Sequence, residues 1–152
     1  MTFTESIQTC FKKYATFSGR ASRSEFWWWA LFVNLVGLVP LIGFIISIAA
    51  LIPYLAVTAR RLHDGGRSGW WQVLPLGMFL VMIVMSAISA KILAYAAALA
   101  AAVSAITLLV WVIQKGSDGP NQFGDDPLDR TTPRIPGGDG TNRTSIPPVR
   151  RN

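Results

Sequence analysis

A chain of 152 residues with 14% charged side chains and a mean hydropathy of +0.40 is too apolar for an ordinary soluble domain, where about 25% charge is usual. The charges are also segregated: Phe26 to Thr58 carries none, and Trp70 to Gln114 carries only Lys91. One small soluble core cannot hide such runs, so the composition specifies an integral membrane protein, all-α, with room for one compact bundle.

The net charge of +6 sits beside the apolar runs rather than along one soluble face, which argues against nucleic acid as a partner. Lys12, Lys13, Arg20 and Arg23 precede the first run, and Arg60, Arg61 and Arg67 interrupt the long apolar stretch. Cations that flank spans are what the positive-inside rule expects. A single cysteine, Cys10, allows no intramolecular disulfide and leaves the redox compartment open. No secretory signal peptide is evident, because the first apolar run begins near Phe26 and is far longer than an h-region.

Phe3, Ile7, Phe11, Tyr14 and Phe17 recur at steps of four, four, three and three, an apolar stripe at helical spacing. Residues 1–25 therefore read as a short amphipathic helix and a turn on the cytoplasmic side. The helix lies in the membrane interface with its lysines toward head groups, or packs on the bundle's own end. Ser22-Arg23-Ser24-Glu25 fits a capping box that starts a helix near Arg23, and Trp27, Trp28 and Trp29 suit the head-group level.

As one helix, the roughly 33 residues from Phe26 to Thr58 would be about 50 Å long, well beyond a hydrocarbon core of ~30 Å. Gly37, Pro40 and Gly43 cluster where a turn would divide them. Charge decides between one crossing and two, because only a hairpin returns the Arg60–Arg67 loop to the side of Lys12, Lys13, Arg20 and Arg23.

Trp70 to about Ala90 gives a third span and Ile92 to Ile113 a fourth, with Lys91 at the far turn and Pro75 in the first turns of the third. The expected bundle, residues 26–114, has spans at about 26–40, 42–60, 70–90 and 92–113. In the fourth span Ala94, Ala98 and Ala102 share one face, and Ala97, Ala101 and Ala105 another, small surfaces that let helices approach closely in lipid. All six tryptophans fall at the proposed cytoplasmic interface, with Trp27, Trp28, Trp70, Trp71 and Trp111 as the anchors. Residues 115–152 form a cytoplasmic tail, expected to be disordered from about residue 129. Asn142-Arg143-Thr144 is a formal sequon, discounted because a cytoplasmic tail never meets the transferase.

Three segments stand in order: Tyr14 to Trp27 (YATFSGRASRSEFW), Arg60 to Trp71 (RRLHDGGRSGWW) and Gly119 to Pro127 (GPNQFGDDP). Together they resemble the family called domain of unknown function 805, small bacterial inner-membrane proteins, over roughly residues 8–128. The resemblance implies membrane residence and a multi-span fold, and no activity. The connection around Pro40 is abbreviated beside many members, and the long Pro/Gly/Arg tail lies outside the pattern.

For catalysis, His63 beside Asp64 offers a proton-transfer pair, yet adjacent helical residues do not face one another, and His63 is the chain's one histidine, too few for a histidine-built metal site. The plainer reading pairs Arg60 with Asp64 at i,i+4, closing the second span with Gly65 or Gly66 ending it. No catalytic residue, metal or cofactor is assigned. Pumps need ionisable groups at membrane depth, and this chain offers only amides and hydroxyls such as Asn34, Ser47, Ser86, Ser89, Ser104 and Thr107, with Asn34 read as a helix-to-helix hydrogen bond. The best-supported specific idea is recognition of an anion, a lipid head group or a partner, by Arg20, Arg23, Arg60, Arg61, His63, Asp64 and Arg67 at one interface. Plain anchoring explains Arg60 and Arg61 nearly as well, and the exclusive use of arginine in the loop tips the balance. The expected role is a non-enzymatic binding or scaffolding module. Its partners would be membrane lipids, an anionic phospholipid among them, and a second copy of the chain. A small transporter or channel component is the alternative, with a lipid-modifying enzyme behind it.

Overall fold

The computed structural model describes residues 1–128, and within them the chain is a helical bundle. The disorder expected from about residue 129 and the sequon at Asn142 lie outside the described residues. Helix α1 covers Phe3–Lys12 and begins at a reciprocal cap that the sequence reading did not pick out. Thr2 Oγ1 accepts from the Glu5 amide at 3.4 Å, and the Glu5 carboxylate accepts from the Thr2 amide at 2.8 Å. Of the two placements considered for this helix, its contacts show packing on the bundle. Phe3 meets Trp28 edge-on at 5.7 Å and Phe11 meets Trp29 at 5.2 Å, while Ser6 and Cys10 are buried beneath.

Helices α2 (Arg23–Gly37) and α3 (Ile42–Asp64) form the expected hairpin. Glu25 meets Arg60 and Phe26 meets Tyr54 toward the open end, whereas Gly37 and Gly43 meet at the turn, so the helices run antiparallel. The turn is Leu38–Leu41, containing Pro40, and Leu41 takes a φ of 61°. Ser22 Oγ accepts from the Glu25 amide at 3.2 Å as the cap predicts, but the Glu25 carboxylate reaches Arg60 instead of closing the box.

Pro53 lies inside α3, where it cannot donate to the carbonyl four residues back. That carbonyl belongs to Ala49, and the Tyr14 hydroxyl donates to it at 2.6 Å. The segment after α1 is thereby fastened to the middle of α3 by the interior carbonyl that Pro53 leaves without a helical donor.

Helix α3 ends where the glycines predicted. Gly65 is the cap and Gly66 adopts a φ of 72°, which lets the Gly66 and Arg67 amides turn back to the carbonyls of His63 and Leu62 at 2.9 Å each. A 3-10 turn over Gly69–Gln72 leads into α4 (Val73–Ala87), and Ile88–Ala90 connects it to α5 (Lys91–Ile113). Pro75 sits in the first turn of α4, where its missing N–H has no partner to lose. Ala94 and Ala97 of α5 are buried, and Trp71 meets Trp111 edge-on at 5.5 Å at the other end of this second hairpin.

Among the described residues three stretches are long and apolar enough to cross a bilayer: Gly43–Asp64, Gly69–Ala87 and Lys91–Ile113. Helix α2, with 15 residues, is about 22 Å long, short of the ~30 Å core. The hairpin nevertheless brings the start of α2 and the end of α3 together, and the end of α5 joins them through Arg61 and Val112. Three tryptophans in succession cannot all face lipid at 100° per residue, and Trp29 is the one turned inward, fully buried in the core. Asn34 donates to Ala30 O of its own helix at 2.8 Å, so it does not make the helix-to-helix bond expected of it.

A glycine pair tests the hairpin. A Cβ at Gly43 would collide with the Val36 carbonyl and lie 3.2 Å from Gly37, so Gly43→Ala should destabilise the protein by about 1–3 kcal/mol. Gly77 of α4 has nothing within 4 Å of that position, so Gly77→Ala should be neutral or raise stability by about 0.5–1 kcal/mol. Thermal unfolding in one detergent compares the two variants.

Candidate functional site at the polar end of the bundle

The end of the bundle where α2 begins and α3 and α5 finish gathers the charged side chains. Arg20, Arg60, Arg61 and Asp64 are 6%, 1%, 1% and 2% exposed, so the cluster is interior rather than a solvated face. Asp64 is its hub. Its Oδ1 accepts from Arg20 Nε at 3.0 Å and Nη2 at 2.7 Å, and its Oδ2 accepts from Arg61. The i,i+4 pair expected between Arg60 and Asp64 does not form. Arg60 Nη1 donates to Glu25 across the hairpin at 2.5 Å, and the Asp64 carboxylate serves the two arginines on either side.

Two guanidiniums on one carboxylate leave donors to satisfy, and backbone carbonyls supply the acceptors. Arg61 Nε donates to Val112 O at 3.0 Å and Nη2 to Gln114 O, so this cation covers the carbonyl end of α5. Arg20 Nη1 donates to Gly119 O at 2.5 Å and Nη2 to Ser117 O at 2.6 Å. The segment after α5 thus folds back as a lid. Its Ser117 amide donates to Asp64 O at 2.8 Å, Asn121 Nδ2 donates to His63 O at 2.9 Å, and Asn121 pairs with Gly124 in a small turn. Gly116 lies so close to the Asp64 carboxylate that any Cβ would overlap it.

His63 is turned away from Asp64. Its Nδ1 lies 3.0 Å from Gly19 O, and its ring stacks on Phe123 with centroids 4.0 Å apart and planes 1° from parallel. The side chains of His63 and Asp64 therefore serve different partners and form no proton-relay pair. Arg67 is half-buried, 4.8 Å above the Trp111 ring with Nη2 donating to Gln114 Oε1 at 3.1 Å. Arg23 is exposed and stands apart from the cluster. Of the seven residues singled out in the sequence, the structure gathers Arg20, Arg61 and Asp64 into one knot. It puts Arg60 on Glu25 and leaves Arg23 and Arg67 toward the outside. Trp27, Trp28, Trp70 and Trp71 are exposed, and Trp111 is half-buried.

Sequence reasoning missed Glu25 as a charge partner, and it missed Gly116, Asn121 and Phe123 altogether as parts of this site. The third segment of the family resemblance, Gly119 to Pro127, contains Asn121 and Phe123, and its position just after the last span was the available signal.

A second buried group lies on the α1 side. Ser6 Oγ donates to Glu25 O at 2.7 Å, and the Cys10 thiol sits near Glu25 and Arg60. Burial, with the Glu25 carboxylate acting in the same direction, pushes this thiol up from 9.0 to about 12. A raised value means that the fold holds the proton. The stabilisation from this group is complete below about pH 9 and is lost as pH rises toward 12. Cys10 should therefore resist a thiol-specific maleimide at pH 7.5 in the folded protein and react promptly once denaturant opens it, as read by mass spectrometry.

Asp64→Asn should cost about 3–5 kcal/mol, because it removes the buried carboxylate that Arg20 and Arg61 share. The effect should appear as a lowered unfolding temperature in detergent and as protease cleavage within residues 115–128.

The family described as "Protein of unknown function (DUF805)" matches residues 14–43 and 36–125, which include both hairpins and most of the lid. The inner membrane protein YhaI of Escherichia coli (strain K12) is 30% identical over 128 residues, covering 76% of this chain and 89% of that protein. The inner membrane protein YhaH of the same organism is 30% identical over 132 residues, covering 76% and 90%. The uncharacterized protein YiiR, also from that strain, is 32% identical over 129 residues, covering 75% and 87%. No solved structure matches. The chain is an integral membrane protein and belongs to the DUF805 family.

Proposed function

We propose that this protein is a non-enzymatic binding and scaffolding module of the bacterial inner membrane, with four spans and with both termini and the polar lid in the cytoplasm. The observation that carries the reading is the Arg20–Asp64–Arg61 knot, which commits the densest charge in the chain to holding helices and lid together. Such an end is a rigid platform rather than a reaction centre. The hydroxyls at membrane depth support it as well. Ser104 and Thr107 donate to Ala100 O and Val103 O of their own helix, so their hydrogens are committed within α5.

Among the described residues the exposed cations are Lys12, Lys13, Arg23, Lys91 and Lys115, and the first three stand together in sequence on α1, just after it and at the start of α2. The exposed rings of Phe11, Trp27 and Trp28 accompany them. Cations interleaved with aromatic rings at the cytoplasmic level favour anionic phospholipid head groups, each cation adding about 1 kcal/mol near such a surface. Anion recognition is thereby assigned to α1 and the start of α2, and the buried arginines to the platform.

In native mass spectrometry of the detergent-purified chain, Lys12→Gln with Lys13→Gln and Arg23→Gln should lower cardiolipin retention about tenfold or more. Undiminished retention would remove the head-group assignment. Reporter fusions placed after Gly66 and after Asn152 should both read out in the cytoplasm, and opposite sides would end the four-span reading.

A further inference from the structure

Helix α2 hides one face and bares another. Glu25, Phe26, Trp29 and Ala30 are buried within the bundle. Trp27, Leu31, Asn34 and Leu38 are exposed and recur at steps of four, three and four. That is the spacing of a seam between two helices that cross at a shallow angle.

Exposed leucines alone would select nothing, because lipid covers them as well as protein does. Asn34 is different. Ala30 O can only accept, so the Asn34 amide is turned with Nδ2 toward it, and that bond uses one of two amide hydrogens. The other N–H and Oδ1 have no partner among the described residues. Asn34 lies seven residues beyond Trp27, about 10 Å along the axis and within a hydrocarbon core of ~30 Å. A donor and an acceptor left bare at that depth are costly.

Whatever meets them must offer an acceptor and a donor at the same level of the bilayer. A second copy of the chain does so by construction. It has the same orientation in the membrane, so a twofold axis along the membrane normal sets its residue 34 opposite this one. An amide is self-complementary, and two of them exchange N–H···O bonds in both directions. The same axis brings Leu31 onto Leu31 and Leu38 onto Leu38, about one turn to either side.

We propose that two copies of this protein pair through α2 about a twofold axis, Asn34 bonded to Asn34 at the centre of the seam and Leu31 and Leu38 packed above and below it. A single polar residue in such a seam fixes its register, because any slip strands both amides in an apolar surface. The inference rests on α2 lying in the bilayer, as the four-span reading has it.

Single cysteines in the full chain, on a Cys10→Ala background in native membranes, test the seam. Under a mild oxidant Leu31→Cys and Leu38→Cys should give a disulfide-linked species of twice the chain's mass. Leu35→Cys, also exposed but turned about 100° from Asn34, should give at least about fivefold less. In phosphatidylcholine vesicles, energy transfer between labelled copies of the purified chain reads the association directly. Asn34→Leu should weaken it at least about fivefold, and Asn34→Gln, which keeps the amide, should lose less. Asn34 is exposed, so neither change disturbs the core. A linked species of another mass, equal linking at Leu35→Cys, or undiminished association of Asn34→Leu would overturn the pairing. If Asn34→Cys reacts with a membrane-impermeant maleimide applied to either face, α2 is in water and the four-span reading falls with the pairing. An unreactive Asn34→Cys beside absent cross-links removes the pairing alone.

Discussion

One carboxylate holds the polar end of this protein together. Asp64 closes α3, pairs with an arginine that arrives from before α2 and with another on its own last turn, and packs against Gly116 just past α5. Because all these groups are buried, the arrangement is stable only when complete, since an isolated charge in that interior costs several kcal/mol. The backbone carbonyls of Val112, Gln114, Ser117 and Gly119 finish the accounting for the guanidinium donors. Helix ends that would otherwise need water are satisfied by side chains from another hairpin.

The architecture was legible where local chemistry dictates it. Segregated charge predicted a bundle, Ser22 a helix start, Gly65 and Gly66 a helix end, and the Gly37–Pro40–Gly43 cluster a turn. The pairings were not, because they join residues far apart in sequence. Arg20 and Asp64 are 44 residues apart and Glu25 and Arg60 are 35 apart, while both arginines had nearer carboxylates on paper. A helix-surface rule favoured Arg60 with Asp64, and tertiary packing overrode it. The rotation of a helix about its own axis was equally hidden: Trp27, Trp28 and Trp29 look alike in sequence, and only the packing of α1 decides that Trp29 is the buried one.

These pairings change what the arginines mean. Arginine alone in the loop hinted at phosphate recognition, but its planar fork is equally suited to tying a carboxylate to several carbonyls at once, and that is how Arg20 and Arg61 are used. The basic residues outside the knot, on α1 and at the start of α2, are better placed to meet a charged surface. The buried cluster pairs arginines with a carboxylate, whereas Lys12, Lys13 and Arg23 stay at the surface.

The bond from the Tyr14 hydroxyl to Ala49 O bears on how the chain is assembled. Synthesis delivers residue 14 long before residue 53, so the tyrosine is made ahead of the proline whose absent amide it will compensate. Until the two meet, α3 carries a bare carbonyl that hydrocarbon tolerates poorly. The first hairpin is therefore complete only once Pro53 has been made and Tyr14 has reached Ala49 O.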